Sequence, residues 1–136
     1  MLGLNEQEIK LIKDFLLDKV KPYVVYLFGS AAKENMRADS DIDLGFLSEN
    51  KLDAYEVFMI AQELADLLGR EVDLVDLNQA STVFQVQVIS KGKVIYSANE
   101  TRRKLFELLV LKKYTRLNEE RQVILEKIKE RGSVYG

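Results

Sequence analysis

The chain has 136 residues, enough for one domain with a real core and too few for two ordinary ones. Apolar residues make up 47% and charged residues 31%, a composition that argues against disorder, and the net charge is only −2. With no cysteine and no histidine, disulfides, a thiol nucleophile, a Ser-His-Asp triad, imidazole acid-base chemistry and the usual zinc sites are excluded, so any catalysis rests on carboxylates, hydroxyls and cations.

In chain order, "NEQEIKLIKDFLLDKV" carries Ile9, Ile12, Phe15, Leu16 and Val20 at helical spacing, with Asn5 and Glu8 placed as a capping box. The spacing predicts a helix over about 5–20. Pro22, the only proline, stops it, and "YVVYLF" (23–28) has the β-branched and aromatic content of a short buried strand. Gly29-Ser30 breaks that strand, and "DIDLGFL" (41–47) reads as the second. A second helix is expected over 53–68, with an Asp53/Glu56 capping box at its start and Gly69 at its end. "EVDLVDL" (71–77) follows as a third strand. "STVFQVQVISKG" (81–92) suits a helix by its Val83, Val86 and Ile89 spacing and a strand by its valine content; Gly92 as terminator favours the helix. A short strand (93–97) comes next, then Asn99 as the cap of an amphipathic helix to about 117 and a further helix to Arg131. The expected fold class is α/β (α+β), a mixed sheet of about four strands flanked by helices, in a single domain with its core over about 5–98 and a helical tail over about 99–132.

Charge is unevenly spread. Residues 1–100 carry 10 Lys+Arg against 17 Asp+Glu, and residues 101–136 carry 10 against 5, so the tail is basic while the body is acidic. The signs are mixed along the tail, which reads as a solvated helix surface and not as a nucleic-acid patch. Leu105, Leu108, Leu109 and Leu117, continued by Ile124 and Ile128, form an apolar stripe expected to pack on the chain's own sheet, with a partner interface as the alternative. No apolar run approaches the roughly 18–20 residues that cross a bilayer, and the start lacks a signal peptide, so a cytoplasmic protein is expected.

Between the first two expected strands lies the stretch with chemical content, "YLFGSAAKENMRADSDIDLGFL". Side chains alternate along a strand, so Asp41 and Asp43 share a face. Two like charges on a partly buried face repel and lose hydration unless a cation sits between them, and Mg²⁺, which takes carboxylate and phosphate oxygens together with water, is the natural one. Gly29 lets a ligand approach the backbone, while Ser30 offers an N–H and a hydroxyl at an expected helix N-terminus; together they suit a phosphate. Lys33 and Arg37 are placed to neutralise phosphate charge, and Ser40 to hold the loop or donate to the ligand. A third carboxylate is expected from "EVDLVDL", where Asp73 and Asp76 have opposite parity and only one can face the site.

Gly29, Ser30, Asp41 and Asp43 spell G-S, ten intervening residues, D-x-D. In this the chain resembles the nucleotidyltransferase superfamily of the DNA polymerase β type, and more narrowly the minimal nucleotidyltransferase (MNT) proteins, over roughly residues 5–100. The resemblance implies Asp41, Asp43 and a third carboxylate, Asp73 with Asp76 as the fallback, as catalytic and metal-binding residues. It also implies Mg²⁺, two ions per site, as cofactor, ATP as substrate, and Gly29, Ser30, Lys33, Arg37 and Ser40 as nucleotide contacts. Where relatives pair with HEPN-domain proteins, it implies AMP transfer to a tyrosine of the HEPN ribonuclease toxin, the MNT chain being the antitoxin. Two other readings stay open: modification of a small molecule, as in the aminoglycoside-type enzymes, and inhibition of the toxin by binding alone. Stoichiometry, as a homodimer or a hetero-oligomer with the toxin, is not legible in the sequence.

Overall fold

A computed structural model of the chain describes residues 4–32 and 41–135. Its elements, in order, are α1 (Glu6–Lys19), β1 (Pro22–Phe28), a 3₁₀ turn (Gly29–Ala32), β2 (Ile42–Ser48), α2 (Ala54–Leu68), β3 (Val72–Asp76), a 3₁₀ turn (Leu77–Gln79), α3 (Thr82–Lys91), β4 (Lys93–Ser97) and α4 (Glu100–Tyr135). The expected boundaries fall within a residue or two of these, and 81–92 is the helix that its periodicity favours. Local chemistry sets the ends. Asn5 and Glu8 complete both bonds of a capping box. At α2, Asp53 accepts the Glu56 N–H at 2.7 Å, and Gly69 closes the helix in the left-handed region at φ 69°.

The four strands form one mixed sheet in the order β3-β2-β1-β4, in which β1 runs antiparallel to both β2 and β4 while β2 and β3 are parallel. The central strands are covered on both faces, which is why they read as unbroken apolar runs. On one face Val25, Leu27, Ile42, Leu44 and Phe46 pack with α1 and α2 through Ile12, Leu16 and Leu64. On the other, Val24, Tyr26 and Leu47 pack with Leu77 and with α3 through Val88.

The tail departs from expectation twice. It is one helix, Glu100–Tyr135, and not two. No glycine or proline interrupts 100–131, and the Arg116–Glu120 ion pair at 3.7 Å spans the expected break. Nor do the leucines and isoleucines of the expected stripe pack on the sheet: Leu108 is 63% exposed, and Leu105, Leu109, Ile124 and Ile128 are also exposed. The face turned inward carries Arg103, Phe106, Glu107 and Val110 instead. A polar anchor fixes that rotation. The Tyr26 hydroxyl, buried on β1, donates to Glu107 at 2.6 Å, and Arg103 donates to the same carboxylate oxygen at 2.9 Å. Burial, followed by the hydrogen bond to Glu107 and its negative charge, holds the Tyr26 hydroxyl far above the ordinary phenol range, so it stays a donor.

Removing that donor leaves Glu107 still paired with Arg103, so no charge is stranded. Tyr26→Phe is expected to cost about 1–2 kcal/mol, the worth of one hydrogen bond to a charged acceptor, and to loosen the start of α4. Urea denaturation checks the cost and hydrogen exchange the loosening; an unchanged midpoint with unchanged protection over 100–110 would remove the anchor from the account.

Candidate active site

The site is built where three strands bring their ends together. Asp43, the second residue of β2, is paired with Phe28 of β1 on one side and with Asp73 of β3 on the other. Paired residues of neighbouring strands share a face, so the Asp43 and Asp73 carboxylates stand side by side on the face that α3 and α4 cover further along. Asp41 lies one residue before β2 on the same parity and is exposed. Phe28, whose ring meets Phe84 of α3 edge-on at 5.6 Å, closes the floor beside them.

Gly29 follows Phe28 directly. Its φ is +66°, and a Cβ added there would stand 2.1 Å from the Asp43 Oδ2. Both facts require glycine: the left-handed backbone disfavours any side chain, and the Asp43 carboxylate occupies the space one would need. The turn of "FGS" and the aspartate of "DID" therefore form one unit, although fourteen positions apart in the chain. Ser30 sits in the same turn; the helix N-terminus expected there is, within the described residues, a four-residue 3₁₀ turn. Lys33, Arg37 and Ser40 lie outside the described residues.

Of the two candidate aspartates on β3, the structure brings Asp73 to Asp43. Asp76 is opposite Phe46 in the register and is engaged elsewhere: its carboxylate accepts the Asn78 N–H at 3.1 Å and lies 3.4 Å from the Gln79 amide nitrogen, capping the turn that follows β3. The same region holds two residues that the sequence did not single out. A cavity of about 240 Å³ beside the pair is lined by Asp41, Gln62, Glu71 and Asp73, with Gln62 coming from α2. Gln62 sits among solvent-facing helix residues, and nothing in its local pattern marks it.

Electrostatics sets Asp43 apart. Partial burial, then the neighbouring charges of Asp73 and Asp41, push its carboxyl up to about 6. The three carboxylates thus concentrate negative charge at one end of the sheet. Among the described residues no three acidic side chains converge tightly enough to enclose a metal by themselves. The donor set is instead an open pair with an outlying third carboxylate, chemistry that suits a hard cation taking its remaining ligands from phosphate oxygens and water.

The shift fixes a pH dependence. Because the folded chain holds the Asp43 proton up to about pH 6 while the unfolded chain releases it near 3.8, the folded state binds more protons between those values. Stability from this group therefore falls as pH rises through that window, and the full cost stands above it. Allowing for solvent screening of a half-exposed group, the cost is about 1–2 kcal/mol. In metal-free buffer Asp43→Asn is expected to be more stable than the parent at pH 7, with the advantage shrinking towards pH 4; thermal melts across that range, with chelator, check it, and equal melting temperatures throughout would contradict it.

With this geometry in place, comparison with known proteins is informative. The protein adenylyltransferase MntA of Shewanella oneidensis is 37% identical to this chain over 129 residues, covering 94% of this chain and 90% of that protein. A toxin–antitoxin crystal structure with AMP-PNP superposes with a TM-score of 0.80 at 36% identity, covering 88% of this chain and 97% of that one. A complex of a tri-AMPylated Shewanella oneidensis HEPN toxin with its MNT antitoxin gives 0.77 at 33% identity, covering 92% and 98%. Residues 10–101, from α1 to the start of α4 and including Gly29, Asp41, Asp43 and Asp73, match the polymerase beta nucleotidyltransferase family, and the chain belongs to that family.

Proposed function

We propose that the chain is an Mg²⁺-dependent adenylyltransferase that moves AMP from ATP onto a tyrosine hydroxyl of a HEPN-domain protein and thereby silences it. The observation that carries this reading is the Asp43–Asp73 pair packed over Gly29. The relatives support it: one is a protein adenylyltransferase, one was captured with an ATP analogue, and one sits with an AMPylated HEPN toxin.

In this mechanism the turn at Gly29 and Ser30 receives the β- and γ-phosphates against exposed backbone, and Lys33, Arg37 and Ser40 supply further contacts from the segment that follows. Asp41, Asp43 and Asp73 are the residues that would hold Mg²⁺, which when bound neutralises triphosphate charge and polarises the reacting phosphate. Asp73, on the outer strand, takes the acceptor's proton. The phenol oxygen attacks the α-phosphorus, forming the new O–P bond as the bond to the β-phosphate bridging oxygen breaks; pyrophosphate leaves with that electron pair, and the proton passes from Asp73 to water. With no imidazole or thiol in the chain, a phenol, whose pKa is about 10, is easier to ionise than an aliphatic alcohol. The product carries a bulky anion, which repels RNA from a ribonuclease surface.

Intact-mass measurement of a co-encoded HEPN partner after incubation with ATP and Mg²⁺ tests this. The parent chain is expected to add one or more AMP masses, Asp41→Asn and Asp73→Asn to lose at least about 100-fold in rate, and Asp76→Asn to keep most of it. A partner left unmodified by the parent chain ends the reading; loss in Asp76→Asn with retention in Asp73→Asn would move the proton acceptor to the other face of β3.

A further inference from the structure

The proposed function leaves open how a protein substrate reaches Asp73, and the edge of the sheet answers it. β3 is an edge strand, paired with β2 on one side and, among the described residues, with no strand on the other. The Ile42 N–H donates to the Glu71 carbonyl at 2.9 Å. In a parallel ladder main-chain groups alternate in direction, so Asp73 and Val75 also turn theirs to β2, while Val72, Leu74 and Asp76 turn theirs outward to the open edge. Val72 and Leu74, whose side chains are buried, thus turn main-chain donors and acceptors to the open edge beside the candidate catalytic carboxylate, while Asp76 already caps the turn that follows.

A cavity of about 360 Å³ lies along this edge on the α2 side, walled by Leu52, Val57, Phe58 and Ala61. It shares Gln62, Val72 and Asp73 with the acidic cavity at Asp41, so one groove follows β3 from the turn at Gln79 to the carboxylates. Phe58 is 58% exposed on its wall, a large apolar side chain that belongs to neither hydrophobic cluster of the described residues. Glu71, exposed at the acidic end, favours a basic residue on whatever lies there.

Resting on the reading of the chain as a protein adenylyltransferase, we infer that the open edge of β3 is the acceptor site: an extended segment of the protein substrate adds to it as a fifth strand. Side-chain alternation then fixes the arrangement. A tyrosine placed beside Asp73 points to the carboxylate face, where its hydroxyl meets the α-phosphate, and the residues before and after it point to the opposite face, into the Phe58 cavity. The segment therefore reads apolar-Tyr-apolar, with a basic residue towards the Glu71 end. A folded partner presents its tyrosine this way only if the segment can lie extended, which makes backbone shape part of the specificity.

Steady-state AMP transfer to the HEPN partner, with ATP affinity measured separately, tests the inference. Phe58→Asp is expected to raise KM for the partner at least tenfold while kcat and ATP affinity stay within a factor of two, and a photo-crosslinking amino acid at position 58 is expected to capture the partner within two residues of the modified tyrosine. Melting temperatures confirm that the exposed substitution leaves the fold intact. If the parent chain transfers AMP but Phe58→Asp has an unchanged KM, or if the crosslink maps far from the tyrosine, the edge is not the acceptor site and the adenylyltransferase reading survives. If Leu125→Asp on α4 raises KM and Phe58→Asp does not, the acceptor is held by α4 instead. Absence of transfer by the parent chain removes both.

Discussion

The Asp43 carboxylate over Gly29 is the constraint on which the site depends. A charged group half-withdrawn from water, beside a second carboxylate, works against folding. Its neighbours tolerate it because the strands on either side, β1 and β3, are fixed by apolar residues on both faces of the sheet. Leu27, Leu44 and Leu74 hold the three strands in register one residue away from Phe28, Asp43 and Asp73. A slip of one residue in β3 would turn Asp73 into the α2 core and Leu74 outward, a loss on both counts. The hydrophobic pattern therefore specifies the position of the carboxylates, and the carboxylates bring their cost to a framework strong enough to bear it.

The same register separates two aspartates that look alike in "EVDLVDL". Asp73 is exposed beside Asp43, whereas Asp76 spends its oxygens on the Asn78 N–H and the Gln79 amide. Its position matters in another way, since it ends β3 and starts the turn that sends the chain to α3. Buried Gln85, donating to the Leu77 carbonyl at 2.6 Å, ties that turn to α3. Asp76 thus has a local structural role at the turn, and Asp73 is left exposed beside Asp43.

Much of this was legible in the sequence, for local reasons. The elements from α1 to β4 announced themselves through caps, glycine stops and apolar runs, all of them interactions within a few residues. Gly29, Asp41 and Asp43 were legible as a spaced pattern, and the parity of Asp73 and Asp76 reduced the third carboxylate to a choice of two. What brings Asp73 and not Asp76 beside Asp43 is the strand pairing, a contact between strands separated by the whole of α2. The α4 face was misjudged for a similar reason. Residues 105–111 are apolar nearly all the way round, so periodicity does not select a face; the Tyr26–Glu107 bond, spanning 81 positions, does. Gln62 and Glu71 went unnoticed because a helix surface residue and a strand-start glutamate carry no signal until the fold lines a cavity with them.

An edge strand is ordinarily a hazard, and proteins blunt it with charge, brevity or cover. β3 has two such devices. It is five residues long, and two of those five are aspartates. Each device is double-edged here. Brevity limits pairing to a short extended segment, and of the aspartates that discourage a random apolar strand, Asp73 is itself the group proposed to accept a proton. A protein that modifies another protein must hold its substrate's backbone while ignoring most of the extended chains it meets. An acidic, short, partly apolar edge meets both demands in the proposed arrangement, where main-chain bonds to Val72 and Leu74 supply modest affinity that any segment can use and the Phe58 cavity and the exposed Glu71 restrict which segment benefits. On that view selectivity and protection from self-association come from the same few side chains.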